Sequence, residues 1–270
     1  MSALVFALKE IPRQRVDLSP LTPDLLLSKN INEINMLELH SGNRKIRVTD
    51  LFELSGGDAR NIIFKKSCEK FDRIGQGMSS GSIEVEGDCG AYLGLGMKNG
   101  ALGVRGNTGI FAASGMSGGV LHIRGNTGDF LAAALPGDRH GMKGGLVIVS
   151  GNAGDRTGDH MRRGALLIEG NAGDYCASRM LAGTIAVLGT VGKLAGFGMQ
   201  RGTLLLSGIP DLPATFNDCG VHDLNYLPLL IKSWQPLDSK FAQLAPRARV
   251  RRYLGDAGNG GKGEILVWAN

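Results

Sequence analysis

Regularly spaced glycines restrict the fold of this chain more than any other feature. Glycine accounts for 42 of its 270 residues, and 14 of the glycines form two series with a period of 19 residues. The first series is Gly87, Gly106, Gly125, Gly151, Gly170, Gly189 and Gly208. The second series starts seven copies of a repeat, numbered here one to seven: Gly81, Gly100, Gly119, Gly145, Gly164, Gly183 and Gly202. The single wider interval, between Gly125 and Gly151, is one period plus an insertion at 134–140.

The residues between the two series alternate between apolar and outward-facing positions. Leu102 and Val104 in copy two and Leu121 and Ile123 in copy three show this period of two, which indicates a strand with one buried face. The glycine-rich connections leave no room for a crossover helix. We therefore predict an all-β protein, a parallel, right-handed β-helix of about seven to eight coils. The extra coil is a degenerate one at Ile62-Ile63-Phe64.

Other repeat positions predict how the coils stack. Glycines at the corners are expected to supply a positive φ and to let coils approach without Cβ clashes. Methionines three residues before each second-series glycine are interpreted as core filling. They are Met78, Met97, Met116, Met142, Met161, Met180 and Met199. We expect an asparagine ladder at Asn107, Asn126, Asn152 and Asn171, an aromatic stack at Tyr92, Phe111, Phe130 and Tyr175, and a solvated acidic edge at Asp129, Asp155 and Asp174.

Three regions are predicted: an N-terminal cap at 1–60, the glycine-rich β-helix at 61–208 and a C-terminal cap at 209–270. Thr22-Pro23 is typical of a helix start. Ser41-Gly42-Asn43 predicts a turn between two strands. In the C-terminal region we expect a short helix around Leu227–Trp234 and a closing strand at Ile265–Trp268. Both caps would cover strand edges that the β-helix leaves open.

Composition restricts the location and the partners. No apolar run approaches the roughly 18 residues of a membrane span, and the N-terminus has no basic region of the kind a signal peptide carries. The cysteines, Cys68, Cys89, Cys176 and Cys219, form no CxxC pair, which favours a reducing cytoplasm. A net charge of +5 is too small to suggest a nucleic-acid arm. We therefore expect a cytoplasmic protein that binds neither membrane nor nucleic acid.

No motif predicts catalysis by this chain. Gly-x-Ser-x-Gly occurs around Ser79 and Ser117, but a nucleophile elbow needs a following helix, and here a strand follows. The same objection applies to the glycine-rich stretch 94–100 as a phosphate loop. No two histidines have the spacing of metal ligands; His122 is expected to face outward from a strand. We predict no catalytic residue, no metal site and no cofactor bound by this chain alone.

A candidate partner interface has two parts. The outward strand positions turn apolar in copies four to seven, and the interface residues we assign there are Ile148, Leu167, Ala186, Leu188 and Leu205. A partner protein could cover this stripe, since monomers rarely expose such patches, or the C-terminal segment could fold back over it. The second part is the insertion, with Pro136, Asp138, Arg139 and His140 as predicted contacts, because interrupting loops often bind partners.

The repeat also resembles a known family. Gly106-Asn107-Thr108-Gly109 and Gly125-Asn126-Thr127-Gly128, each joined to Gly-Met-x-x-Gly and an alternating strand, are similar to two groups of glycine-rich β-helices. One group is the C-terminal domain of the glutamate synthase large chain. The other is the C subunit of formylmethanofuran dehydrogenase and of the formyltransferase/hydrolase complex. The stand-alone length, Ile74-Gly75-Gln76-Gly77-Met78 and the insertion leading to Gly137–Met142 favour the second group.

This resemblance implies a non-catalytic scaffold of one-carbon metabolism. Its partners would be an amidohydrolase-like and a formyltransferase-like subunit, with the metal and the furan-type formyl carrier (methanofuran or methylofuran) in those partners. The alternatives that stay open are a glutamate-synthase-type β-helix that supports amidotransfer, and an independent solenoid that is itself an enzyme or a carbohydrate binder. Co-purifying subunits would separate the formyl-transfer scaffold from the glutamate-synthase-type protein.

Overall fold

The computed structural model describes residues 2–269 and is built mostly of strands. The described residues contain four α-helices: α1 (Pro23–Leu26), α2 (Ile31–Asn35), α3 (Val48–Leu51) and α4 (Tyr226–Trp234). The strands of the N-terminal region are β1 (Ala3–Leu8), β2 (Val16–Asp17), β3 (Glu38–Ser41), β4 (Arg44–Arg47), β5 (Phe52–Ser55), β6 (Asp58–Ser67) and β7 (Phe71–Asp72). The seven copies supply β8 (Ser82–Gly87), β9 (Ala101–Val104), β10 (Val120–Ile123), β11 (Lys143–Val149), β12 (Arg163–Ile168), β13 (Thr184–Val187) and β14 (Thr203–Leu206). The chain ends with β15 (Asn217–Asp223), β16 (Arg249–Gly255) and β17 (Gly263–Trp268), and 3₁₀ turns lie at Lys240–Gln243 and Ala257–Asn259.

One mixed sheet of thirteen strands dominates the fold, in the order β15-β16-β17-β14-β13-β12-β11-β10-β9-β8-β6-β1-β5. The strands of the seven copies are consecutive neighbours and run parallel, so Leu121 lies opposite Leu102, 19 residues earlier. The parallel stack continues beyond the repeat, to β6 and β1 at one end and to β17 at the other. Antiparallel partners close both ends: β5 pairs with β1, and β16 and β15 follow β17.

The connections between the strands are stacked as well. A second line of parallel bridges joins Thr108 to Thr127, Thr127 to Ala153 and Ala153 to Ala172. Turn residues also hydrogen-bond to the equivalent turn of the next copy; for example, the Gly96 N–H donates to the Ser114 carbonyl at 2.8 Å. Each copy therefore returns over the preceding one along its whole length, and not only at its strand.

Methionine and glycine positions interlock in the core. All seven repeat methionines are fully buried, as predicted. Each of six methionine side chains reaches the second-series glycine of the next copy: a Cβ on Gly119 would lie 2.7 Å from Met97 Cε. Gly119 also has a φ of +85°, in the region that favours glycine. This series of glycines thus combines a left-handed turn with the space that the methionine needs.

The first glycine series works differently from our expectation. Gly125 and Gly170 do not have a positive φ, so the predicted left-handed corner was wrong at these positions. A Cβ on Gly125 would instead lie 2.5 Å from the Gly106 carbonyl oxygen, and one on Gly170 would lie 2.5 Å from the Asn152 side-chain oxygen. Close approach of neighbouring copies is therefore what requires glycine here.

Polar ladders satisfy the backbone between copies. The Asn126 N–H donates to Asn107 Oδ1 at 2.9 Å, and the pattern repeats at Asn152 and Asn171, which confirms the predicted asparagine ladder. The aspartates do the same: the Asp155 N–H donates to Asp129 Oδ1 at 2.8 Å. Since these carboxylates accept backbone hydrogen bonds, the acidic edge has a structural role.

The aromatic stack is shorter than predicted. The rings of Tyr92 and Phe111 stack at 5.7 Å and those of Phe111 and Phe130 at 4.7 Å. Arg156 occupies the next position, so Tyr175 does not join the stack. Instead, Cζ of the Arg156 guanidinium lies over the Tyr175 ring, 4.6 Å from the ring centroid. A cation–π contact thus replaces one ring–ring contact.

Both flanking segments contain the predicted elements. The helix α1 begins after Thr22 with Pro23 at its first position, and Gly42-Asn43 turns between β3 and β4. The helix α4 and the strand β17 match the expected C-terminal helix and closing strand. No helix among residues 2–269 has the length and hydropathy to cross a membrane.

Candidate functional site

The apolar stripe on the outer face of the sheet is covered by the chain itself. Ile148, Leu167, Ala186 and Leu205 are each at most 3% exposed. They form one cluster with residues of the C-terminal segment: Leu227, Ile231, Trp234, Phe241, Val250 and Leu266. A direct partner interface at these four side chains is therefore wrong, and the alternative interpretation holds, because α4 already removes them from water. Leu188 is half-buried at the margin of the same cluster.

Polar contacts fix the C-terminal segment along the margin of this cluster. Arg124 Nη2 donates to Asp238 Oδ2 at 3.0 Å, and the Lys240 N–H donates to Glu169 Oε1 at 2.8 Å. The Tyr226 hydroxyl donates to Glu264 Oε1 at 2.8 Å. Burial together with this carboxylate raises the pKa of Tyr226 to about 12, so the phenol stays protonated and keeps donating.

The outer face of β8–β10 remains open. Gly103 lies at the centre of a shallow depression of about 230 Å³ between Glu84 and His122. Arg105 Nε donates to Glu84 Oε1 at 3.1 Å, and His122 Nε2 lies 3.2 Å from Ser150 Oγ. Burial and the nearby Arg124 lower the pKa of His122 below its ordinary value, which favours the neutral imidazole. The depression is thus lined by both polar and apolar residues, and its carboxylate is paired within the chain.

The insertion lies against copy four. Its two ends are held by backbone hydrogen bonds: the Ala134 N–H donates to the Asp159 carbonyl at 3.1 Å and the Gly141 N–H to the His160 carbonyl at 3.0 Å. Three of its four predicted contact residues, Pro136, Asp138 and Arg139, are exposed, and the fourth, His140, is half-buried. His140 Nδ1 is buried without a hydrogen-bond partner among the described residues. The insertion therefore presents a polar tip on an anchored base.

A buried carboxylate beneath the insertion was not foreseen from the sequence. Asp159 is 5% exposed and accepts hydrogen bonds from Ser178 Oγ at 2.9 Å and from Arg179 Nε at 2.9 Å, with a further bond from Arg179 Nη2. His160 Nδ1 lies 3.4 Å from the same carboxylate. A buried charge of this kind is stable only when paired and hydrogen-bonded. We call Asp159, His160, Ser178 and Arg179 the acid node.

Alignment of the copies shows that two residues of the acid node replace a repeat glycine. The residue before the repeat methionine is a glycine with positive φ at Gly77, Gly96, Gly115 and Gly198. Copies four and five place His160 and Arg179 there, with φ values of 55° and 50°. Positive φ at non-glycine residues also occurs elsewhere in the repeat, for example at Phe111 and Tyr175, so the residue type at this position, and not its φ, departs from the other copies. The departure from the repeat therefore marks the corner next to the insertion.

Three other reactive side chains, those of Ser79, Cys89 and Cys176, are held by hydrogen bonds or by burial. Ser79 donates its N–H and its Oγ to Asp24, at 2.8 and 2.7 Å; although burial raises the pKa of Asp24, these bonds lower it overall. Burial raises the pKa of the Cys89 thiol, and that of Cys176 to about 12, so neither is a thiolate near neutral pH. Among the described residues no three His, Cys, Asp or Glu side chains are grouped as metal ligands.

Comparison with known proteins identifies the type of chain. No family model matches. The C subunit of a tungsten-containing formylmethanofuran dehydrogenase 2 from Methanococcus maripaludis is 33% identical over 95 residues, which cover 34% of this chain and 35% of that protein. The C subunit of the formyltransferase/hydrolase complex Fhc from Methylorubrum extorquens is 39% identical over 80 residues, 30% of each chain. These alignments span about a third of the curated relatives.

A solved structure matches the whole chain. It is the X-ray crystal structure of the formyltransferase/hydrolase complex FhcABCD from Methylorubrum extorquens in complex with methylofuran. One chain of that complex superposes with a TM-score of 0.93 and 38% identity over 98% of this chain and 100% of that chain. The glycine-repeat fold is thus that of a subunit of a multi-subunit complex. The chain belongs to the family of C subunits of formylmethanofuran dehydrogenases and formyltransferase/hydrolase complexes.

Proposed function

We propose that this protein is a non-catalytic scaffold subunit of a cytoplasmic formyl-transfer complex of one-carbon metabolism. The observation that carries the proposal is the full-length similarity to a chain of a complex crystallised with methylofuran. In this role the chain holds an amidohydrolase-like and a formyltransferase-like subunit in a fixed arrangement. The furan-type formyl carrier and the metal are bound by those partners.

The scaffold role depends on a rigid body, and we infer that the repeat winds as a parallel, right-handed β-helix over 61–208. Two observations support this: the 19-residue register of the strands and the second line of bridges through Thr108, Thr127 and Ala153. Residues 1–60 and 209–270 serve as caps in this proposal. The asparagine and aspartate ladders hydrogen-bond the backbone of each copy to the next, which makes the stack rigid. A spacer that holds active sites at a fixed distance requires such rigidity.

Purification of the affinity-tagged full-length chain from its source cells, followed by native mass spectrometry, tests the proposal. We expect formyltransferase-like and amidohydrolase-like subunits in fixed stoichiometry, and formyl transfer by the complex only. A chain that purifies alone, or with glutaminase and flavin-containing synthase subunits, contradicts it. Formyl hydrolysis by the chain without partners contradicts the non-catalytic part.

We further propose that the insertion contacts a partner. It is the only break in the seven copies, and its tip carries the exposed residues Asp138 and Arg139. Deleting 134–140 restores the 19-residue spacing, so the variant is expected to fold and to recover fewer partner subunits. A control that keeps the length but replaces 136–139 with Gly-Ser-Gly-Ser separates loss of contacts from loss of spacing. Full assembly of both variants would contradict the contact.

A further inference from the structure

Three basic side chains lie unpaired beside the insertion. Lys143 begins β11, Arg163 begins β12, and Arg162 precedes Arg163; all three are exposed. Among residues 2–269 none of them has a carboxylate within ion-pair distance, whereas neighbouring Arg179 is paired with Asp159. We call Lys143, Arg162 and Arg163 the basic corner.

The register of the sheet makes this arrangement unfavourable for the isolated chain. Lys143 and Arg163 are direct partners across β11 and β12, where the pairing has a bulge. Like charges directly opposite one another on neighbouring strands destabilise a sheet. The arrangement costs stability in the free chain, and an anionic surface placed over it would remove that cost.

Other copies show that the repeat itself does not require these charges. The position of Lys143 holds Ser117 one copy earlier and Leu181 two copies later, although Lys98 and Arg162 are basic at the same position. The position of Arg163 holds Gly144 and Ala182 in the copies on either side. The basic corner therefore lies beside the insertion and beside the acid node, where His160 and Arg179 replace the glycine of other copies.

We propose that the basic corner is the docking site for an acidic segment of a partner subunit, which crosses β11 and β12 beside the insertion. The proposal rests on the proposed function, since it needs a partner. Charge complementarity indicates the chemistry of the partner, because three unpaired cations in a small area attract carboxylate side chains. The same charges attract the acidic segment at long range and so increase the association rate.

A zero-length carbodiimide cross-linker tests this directly, because it joins an amine only to a carboxylate that touches it. In the purified complex, Lys143 is expected to cross-link to Asp or Glu of a partner subunit, identified by peptide mass spectrometry. Lys98 occupies the same repeat position two copies earlier and is also exposed, so it is the matched control. Partner cross-links at Lys98 with none at Lys143 would overturn the proposal.

Charge reversal gives an independent readout. Lys143→Glu creates an opposite-charge pair with Arg163, so the free chain should melt at the same or a higher temperature. Assembly should weaken about tenfold or more, and its salt dependence should flatten. Lys98→Glu changes the net charge equally and should assemble as wild type.

The outcomes separate the two proposals. If wild-type chain recovers no partner, the proposed function fails. If wild type and Lys143→Glu assemble equally at low salt, the docking site is wrong while the scaffold role stands. A lowered melting temperature of the variant would contradict the like-charge argument, and a second variant, Arg163→Gln, then decides whether the corner has a structural role.

Discussion

Leu167→Ala separates the two possible roles of the outer face of the sheet. Leu167 lies on β12 and is fully buried in the cluster that the strand forms with α4. Truncation to alanine removes its outer side-chain carbons and leaves a cavity. Substitutions of this kind typically cost about 2–5 kcal/mol. For a chain of this size each kcal/mol lowers the melting temperature by about 2–4 °C, so a fall of roughly 5–15 °C is expected.

The assay compares urea and thermal unfolding of the isolated chain with assembly of the complex. Leu188→Ala is the matched control, because the same side chain is only half-buried at the margin of the cluster and should cost about 1 kcal/mol or less. Equal stability of the two variants, together with failed assembly of Leu167→Ala alone, would refute the reasoning. It would mean that a partner, and not α4, covers the stripe.

Three further predictions address the stack, the acid node and pH. Gly125→Val should destabilise by at least about 1–3 kcal/mol in urea unfolding, since its Cβ would lie 2.5 Å from a backbone oxygen; Gly208→Val, with open space at the same repeat position, should not. Arg179→Ala leaves Asp159 buried without its guanidinium partner, so we expect a loss of about 1–3 kcal/mol after allowance for the half-exposed arginine, and adding Asp159→Asn should recover part of it. The pKa of His122 is lower in the folded state than in the unfolded chain, so native wild type should lose stability as pH falls below about 6.5 through the folded pKa; unfolding curves of His122→Gln should show a weaker decline.

The period of the glycines was enough to predict strand register. Since the apolar residues return every 19 positions, Leu102 had to lie beside Leu121, and the structure pairs them. Burial of Met97 and its equivalents followed from the same period, because a residue that recurs at each turn of a stack occupies one line in space. Periodic features are predictable because each copy repeats the same local constraint.

The position of the C-terminal helix was not predictable in the same way. The sequence showed an apolar stripe through Leu167 and an amphipathic segment at Leu227–Trp234, but nothing local specified that one covers the other. The acid node was missed for a related reason: the pairing of Asp159 with Arg179 joins two copies, and each residue by itself is an ordinary surface type. Contacts between unlike segments depend on long-range packing that single-position patterns do not encode.

We expect a partner protein to bind this chain where its sequence differs from the repeat. Where the copies agree, asparagine and aspartate side chains are consumed by the backbone of the next copy, and methionines fill the interior. The outer face is covered by α4 over the later copies, which leaves the polar strands β8–β10 and the turns. Among the turns, the insertion, the left-handed His160 and Arg179, and the unpaired Lys143 and Arg163 meet at one corner. Like-charge repulsion between Lys143 and Arg163 lowers the stability of the isolated chain there, and the partner contact that we propose at this corner would offset that cost.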